Sequence, residues 1–105
     1  MMHRLKSWPE FFQPIATGER KFDLRRFDRS FKVGDSIEFL EWQPDSDGGG
    51  DYTGHACRCL ITSMLRGVGT GGIEPLKGLA GGYVILGLGK AYERQPDSEQ
   101  LDLRD

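Results

Sequence analysis

Residues 18–35 are the most informative stretch for predicting the fold, and they read GERKFDLRRFDRSFKVGD. Gly18 is a typical C-terminal stop for a helix because glycine adopts the left-handed conformation without strain. In the stretch 21–26, residues 21–25 alternate between charged and apolar side chains, which is typical of a half-buried β-strand. This alternation predicts that Phe22 and Leu24 face the core and that the charged neighbours face solvent. A helix therefore ends here and a sheet begins.

The sequence on either side predicts one helix and several short strands. Ser7 is the predicted N-cap of a short helix that is interrupted by Pro14, ends at Gly18 and buries one apolar side, formed by Phe11, Phe12 and Ile15. Further strands are predicted at residues 3–6, 36–42, 52–65 and 83–88, the last of them short, apolar and central. Ile37 and Phe39 share one side of the strand at 36–42. Glycine-rich connections are predicted at 43–51 and 67–82. The pattern indicates an α+β, mainly β domain of the small β-barrel type.

Charge is distributed unevenly along the 105 residues. Residues 1–34 contain eight basic and four acidic side chains, whereas residues 35–105 contain six basic and twelve acidic ones. Six of the 14 lysines and arginines fall between Arg20 and Lys32, interleaved with aromatic residues. Basic groups that alternate with rings suit a surface that contacts phosphates and stacks on bases. We expect one domain over residues 1–90 and a loose polar tail over 91–105.

Several classes of protein are disfavoured by the composition. The first residues lack the apolar core of a signal peptide, and no apolar run is long enough to span a membrane. Two cysteines are too few for a disulfide framework. We therefore expect a cytoplasmic monomer that holds no metal and no cofactor.

A series of motifs resembles a known family. They are Leu5-Lys6-x-Trp8-Pro9-Glu10-Phe11-Phe12, Gly18-x-Arg20-x-x-Asp23-x-Arg25, Asp28-Arg29-x-Phe31-x-Val33-Gly34-Asp35, Tyr52-Thr53-Gly54, Ile61-Thr62 and Gly82-Tyr83-Val84-Ile85-Leu86. In this order, across residues 3–90, the chain resembles the ASCH branch of the PUA-like domains. The resemblance is closest to the small bacterial and phage type that opens Leu-Lys-x-Trp-Pro.

The resemblance implies a small PUA-like β-barrel with one or two short helices beside a cleft that binds RNA or nucleotide-like ligands. The family signature Gly-x-Lys-x-x-Glu-x-Arg lines that cleft, and its lysine is catalytic in relatives that hydrolyse acetylated cytidine. In this chain Arg20 occupies the lysine position and Asp23 the glutamate position. Because guanidinium stays charged in proteins, Arg20 suits anion binding better than proton transfer. The substitution favours binding over catalysis.

The predicted ligand-binding residues combine bases, rings and one acid. They are Trp8, Arg20, Lys21, Asp23, Arg25, Arg26, Arg29 and Tyr52. In this interpretation Asp23 and Arg25 form a fixed pair in the cleft, while the other basic residues reach phosphates. Alternatively, the segment is a solvated strand face with local ion pairs. Trp8 would either stack on a base or pack against the start of the helix.

Two other functions stay open at the level of sequence. The first is a hydrolase, either an acetylcytidine-type amidohydrolase or a weak ribonuclease, with Asp23 as acid or base and Arg20 or Arg25 stabilising an anion. Lys21 would take part only if a shifted register turned it into the cleft. The second is a protein-interaction module, which no apolar surface stripe supports.

Two further motifs favour ordinary structural roles. Residues 67–72 match Gly-x-Gly-x-x-Gly but lack the strand and helix that a dinucleotide site needs, so they predict a mobile loop that could close over the cleft. Cys57 and Cys59 share one strand face. Zinc would require both His55 and His3 as additional ligands, so ordinary half-buried thiols are favoured.

Overall fold

Six strands and one helix make up the part of the chain that the computed structural model describes, residues 1–67 and 81–94. The elements are β1 (Met2–Ser7), α1 (Pro9–Thr17), β2 (Phe22–Arg26), β3 (Ser36–Pro44), β4 (Gly50–Arg66), β5 (Tyr83–Leu88) and β6 (Tyr92–Arg94). The α+β, mainly β class is confirmed, and β5 has the predicted bounds. The polar connection between β3 and β4 is shorter than predicted, because the two strands continue to Pro44 and from Gly50.

The strands form one mixed sheet in the order β1-β3-β4-β5-β2, with β6 paired to β4. β1 and β3 are parallel, and every other pairing is antiparallel. The long strand β4 pairs with β3 through residues 50–60 and with β5 through residues 61–66, with a register shift between Ile61 and Ser63. β5 lies between β4 and β2, which confirms its predicted central position.

The expected closed barrel is not formed by the strand pairings of the described residues. β1 and β2 end the sheet order and are not paired with each other in residues 1–67 and 81–94. A side chain spans the gap instead, because Arg25 Nη2 donates a hydrogen bond to the Lys6 carbonyl at 3.1 Å. The sheet is therefore open between its two end strands, and this opening positions the site described below.

The hydrophobic core lies between the helix and the inner face of the sheet. Ile37 and Phe39 are fully buried, as the alternation of that strand predicts. The core consists of Leu5, Phe12, Ile15, Phe31, Ile37, Phe39, Cys57, Cys59, Ile61, Val84, Leu86 and Leu88. Ala16, Phe27, Met64 and Ala91 pack against it.

The helix begins one residue later than predicted and ends where it was predicted to end. Trp8 rather than Ser7 is the N-cap, and Gly18 ends the helix in the left-handed conformation with φ at 86°. Ser7 Oγ is buried and has no hydrogen-bond partner among the described residues. Phe12 is buried, but Phe11 is 46% exposed. Adjacent helical residues point about 100° apart, so both rings cannot face one narrow core.

The predicted orientation of β2 is wrong. Asp23 is buried, whereas Phe22 and Leu24 are more than half exposed. The prediction assumed that charged side chains face water. Asp23 departs from that rule because two arginines neutralise and hydrogen-bond its carboxylate, which removes most of the penalty for burial.

The predicted tail begins later than its composition indicates. Tyr92–Arg94 form β6, whose residues pair with Ala56, Cys57 and Arg58 of β4. Residues 95–105 lie outside the described residues. Residues 68–80, which contain most of the predicted mobile loop, lie outside them as well.

Candidate functional site

A cavity of about 760 Å³ opens between β1 and β2, the end strands of the sheet, which are not paired with each other in the described residues. Its walls come from β1, the beginning of α1 and β2, with contributions from the segment after β2 and from β5. We call it the Asp23 cavity. It is lined by Leu5, Lys6, Ser7, Trp8, Phe11, Arg20, Phe22, Asp23, Leu24, Arg25, Arg26, Asp28, Arg29, Phe31 and Tyr83.

The base of the cavity is an ion-pair triad centred on Asp23. Arg25 Nε donates to Asp23 Oδ2 at 2.6 Å, and Arg20 Nη2 donates to Asp23 Oδ1 at 3.1 Å. The Asp23 side chain is 7% exposed, while the two arginine side chains are about one quarter exposed. A buried carboxylate thus holds two partly exposed guanidinium groups side by side.

Each arginine of the triad also holds a neighbouring element. Arg20 Nη2 contacts the Phe11 carbonyl of α1 at 3.3 Å, and Arg25 Nη2 contacts the Lys6 carbonyl of β1. A guanidinium group has five N–H donors, so these contacts leave further donors on both side chains. Arg20 Nε is buried and has no hydrogen-bond partner in the described part of the chain. Because about one quarter of each arginine side chain is exposed, their remaining donors keep hydrogen-bonding capacity for a ligand.

The walls of the cavity carry exposed apolar side chains. Trp8, Phe11, Phe22 and Leu24 all line it and are each 45–54% exposed. The Arg20 guanidinium lies 5.8 Å from the Phe11 ring centroid and 5.5 Å from that of Phe22, both within cation–π range. Exposed rings beside fixed cations provide flat surfaces for a planar ligand.

The charge of the cavity is positive. Its lining includes five basic side chains and two acidic ones. Asp23 is already shared between two arginines, and the Asp28 carboxylate lies 3.9 Å from Arg29. Arg26 and Arg29 are exposed. The positive potential is therefore available to an anionic ligand from solvent.

Six of the eight predicted binding residues line this one cavity. They are Trp8, Arg20, Asp23, Arg25, Arg26 and Arg29. Lys21, which precedes β2, instead lines a neighbouring concavity with Gly18 and Lys90, and Arg20 borders both concavities. Tyr52 lies on β4, directly across from Trp42 on β3, and is not among the cavity residues. Trp8 is exposed and is not part of the core cluster, which favours the stacking interpretation.

Sequence reasoning missed the apolar walls of the cavity. The sequence pattern predicts Phe11, Phe22 and Leu24 as core residues, because apolar side chains at regular spacing are usually buried. A signal was available for Phe11, since its neighbour Phe12 already occupied the core position on a short helix. No local signal distinguishes Phe22 and Leu24, whose exposure depends on the gap between β1 and β2.

The two cysteines lie in the hydrophobic core, away from the Asp23 cavity. Cys57 and Cys59 are free and buried, and the hydrogen bond to Cys59 together with burial raises the pKa of the Cys57 thiol.

Within residues 1–67 and 81–94, no group of three or more His, Cys, Asp and Glu residues could hold a metal ion. In the same part of the chain, no helix has the length and hydropathy needed to cross a membrane.

Comparison with known proteins identifies a family. No curated protein matches the chain. Residues 2–88 match the model of a family described as a domain of unknown function (DUF3850). The match includes every element from β1 to β5 and therefore the whole Asp23 cavity. Because it spans most of the sequence, the chain belongs to the DUF3850 family.

Proposed function

We propose that this protein binds RNA or a nucleotide-like ligand in the Asp23 cavity without altering it chemically. The observation that carries the proposal is the convergence of Arg20, Asp23 and Arg25 at the base of a cavity with exposed aromatic walls. The resemblance to ASCH domains of the PUA-like type supports the same function, because the signature positions of that family are these residues.

The proposed ligand contacts follow from the two kinds of lining. Trp8, Phe11 and Phe22 present rings on which a base stacks. Arg26 and Arg29 are exposed and attract phosphate groups. The volume of the cavity falls in the range of about 300–1,000 Å³ that is typical of small-molecule sites. Aromatic surface next to uncompensated positive charge suits nucleotides better than purely apolar ligands.

The contacts of the triad favour binding over the hydrolase alternative. A general base must exchange a proton with its substrate. Both oxygens of Asp23 already accept hydrogen bonds from cationic donors, which hold the carboxylate in place and occupy the atoms that would take up a proton. Lys21 lines another concavity, and Arg20 replaces the lysine of the hydrolytic relatives. We therefore assign Asp23 the role of holding two anion-binding arginines in place.

The proposal is tested by titrating a fluorescently labelled single-stranded RNA of random sequence at about 50 and about 200 mM salt. We expect binding that weakens as salt increases and that is lost in Arg25→Ala. Lys32→Ala is the matched control because Lys32 is exposed and does not line the cavity. This control should bind like the unaltered protein.

A second variant separates loss of binding from loss of folding. Phe22 is half exposed, so Phe22→Ala leaves the triad paired and the core intact. It should retain the circular dichroism spectrum of the unaltered protein and bind RNA about fivefold or more weakly. Absence of RNA binding at low salt would refute the proposal. Affinity that is unchanged in both Arg25→Ala and Phe22→Ala would do the same.

A further inference from the structure

A second aromatic surface adjoins the Asp23 cavity through Lys6. The Lys6 side chain lines the cavity, and its ammonium group lies 4.1 Å from the centroid of the Trp42 ring. Lys6 also belongs to the triad's framework, since its carbonyl accepts a hydrogen bond from Arg25. One residue therefore contacts both the base of the cavity and a ring outside it.

The surface continues from Trp42 to Tyr52 across the β3–β4 pair. These two residues are direct partners in the strand register, so their side chains project from the same face of the sheet. Tyr52 is 57% exposed. The Tyr52 side chain is thus open to solvent beside Trp42. On its other side, Trp42 contacts Lys6, which lines the cavity.

Gly50 allows the Trp42 ring to lie close to the strands. A Cβ atom at Gly50 would lie 2.5 Å from Trp42 Cζ2 and 2.6 Å from Cη2, so the indole occupies the space of the missing side chain. This packing fixes the ring that holds Lys6. The order of groups is then the cavity, the Lys6 ammonium, the Trp42 indole and the Tyr52 ring.

We propose that the ligand is a single-stranded segment of at least two nucleotides rather than a mononucleotide. One base occupies the Asp23 cavity, Lys6 contacts the phosphate that follows it, and the next base stacks on Tyr52. Trp42 positions Lys6, and in this arrangement no base has to stack on the Trp42 ring. This inference rests on the proposed function, and it assigns a role in binding to Tyr52, which lies outside the cavity.

The test compares two probes on one set of variants. The first probe is a labelled RNA hexanucleotide of random sequence, and the second is an equimolar mixture of the four ribonucleoside 5′-monophosphates used as competitor. Tyr52→Ala should bind the hexanucleotide about fivefold or more weakly, because a stacked base is lost. The monophosphate affinity is calculated from the concentration of monophosphates that displaces the hexanucleotide, with the hexanucleotide affinity of each variant taken into account. This monophosphate affinity should be the same in Tyr52→Ala as in the unaltered protein.

Two further variants complete the design. Tyr52→Phe keeps the ring and should retain hexanucleotide affinity. Tyr92→Ala is the matched control, because Tyr92 is also an exposed tyrosine but lies beside Lys90 and lines a different concavity. It should leave both affinities unchanged.

The outcomes distinguish this inference from the proposed function. If Phe22→Ala weakens both probes and Tyr52→Ala weakens neither, the cavity binds nucleotides and the extended surface is refuted. Equal weakening of both probes by Tyr52→Ala would also refute it. If the unaltered protein binds neither probe, the proposed function is refuted and the extension with it.

Discussion

At the scale of single residues, the central feature is a buried carboxylate shared by two arginines. Asp23 gains charge-assisted hydrogen bonds from both sides, and each arginine is in turn fixed to a backbone carbonyl. Removing one partner would leave the buried carboxylate short of a donor and would also free the loop or strand that the partner holds. The triad should therefore contribute to stability as well as to binding.

The first prediction concerns the stability contribution of Arg25. Arg25→Ala should lower the free energy of unfolding by about 1–3 kcal/mol, because Asp23 loses its shortest hydrogen bond while staying buried. Arg26→Ala is the control on the same strand, since Arg26 is exposed, and its effect should be within about 0.5 kcal/mol. Urea unfolding at pH 7 measures both. Equal effects of the two substitutions would contradict the prediction.

A second residue-scale feature is the carboxylate of Asp35. His3 Nε2 lies 2.8 Å from Asp35 Oδ2, and the Lys32 backbone N–H donates to the same oxygen at 3.1 Å. The His3 contact, opposed by partial burial and assisted by the Lys32 N–H, lowers the pKa of Asp35 below its ordinary value of 3.8. The ionised form is thus the one that the fold prefers.

The sign of the pH dependence follows from that direction. A carboxyl group whose pKa is lower in the folded state stabilises the fold fully above its unfolded value, and this contribution is lost as pH falls through the folded value. The stability difference between the unaltered protein and Asp35→Asn should be largest near neutral pH and should shrink as pH falls below 3.8. Asp28→Asn, at an exposed site, is the control. A difference that stays constant from pH 7 to the acid limit would contradict the assignment.

At the scale of elements, β2 and α1 show where local rules succeed and where they fail. Gly18 ended the helix as predicted, because its left-handed conformation is a local requirement. The alternation that located β2 was also correct, since its period follows from backbone geometry alone. The prediction of which face of β2 is buried was wrong. Which side of an alternating strand is inward depends on its neighbours in space, here the open gap toward β1.

The orientation of β2 leads to a prediction about two leucines. Leu24 is 54% exposed on β2, whereas Leu86 on β5 is fully buried. Leu86→Ala should cost about 2–5 kcal/mol of unfolding free energy, and Leu24→Ala less than about 1 kcal/mol. Chemical denaturation of the two variants measures the difference, and each serves as the control for the other. Comparable costs would show that Leu24 is a core residue, as the alternation alone suggests.

At the scale of the whole molecule, charge and topology coincide. The basic first third of the chain contributes β1, α1 and β2, and these elements surround the Asp23 cavity. The formal net charge of −2 conceals this polarity. Because the rest of the sequence is acidic overall, polyanions should be attracted to the basic Asp23 cavity more strongly than to the acidic parts of the surface.

This polarity predicts a specific change in salt dependence. Each phosphate contact on a single strand contributes about 0.7 to the slope of log affinity against log salt concentration. Arg26→Ala/Arg29→Ala should therefore make the slope shallower by about 1.4, if each arginine contacts one phosphate. Lys32→Ala/Lys90→Ala removes the same charge outside the cavity and should leave the slope within error. Equal changes in both double variants would indicate a general charge effect.

The sequence by itself determined the mainly β class, the central strand at residues 83–88, the end of the helix at Gly18 and the candidate residues Arg20, Asp23 and Arg25. The first three follow from local periodicity and from the backbone preference of glycine, and the candidate residues follow from the resemblance of one motif to a family signature. Only the tertiary structure decided that the sheet stays open between β1 and β2 among the described residues. Only the tertiary structure shows that Phe22 and Leu24 are exposed at this opening, and that the parallel pairing of β1 with β3 sets Lys6 beside Trp42. The physical reason is that these features depend on which elements meet in space, and this is a property of long-range packing that no local pattern encodes.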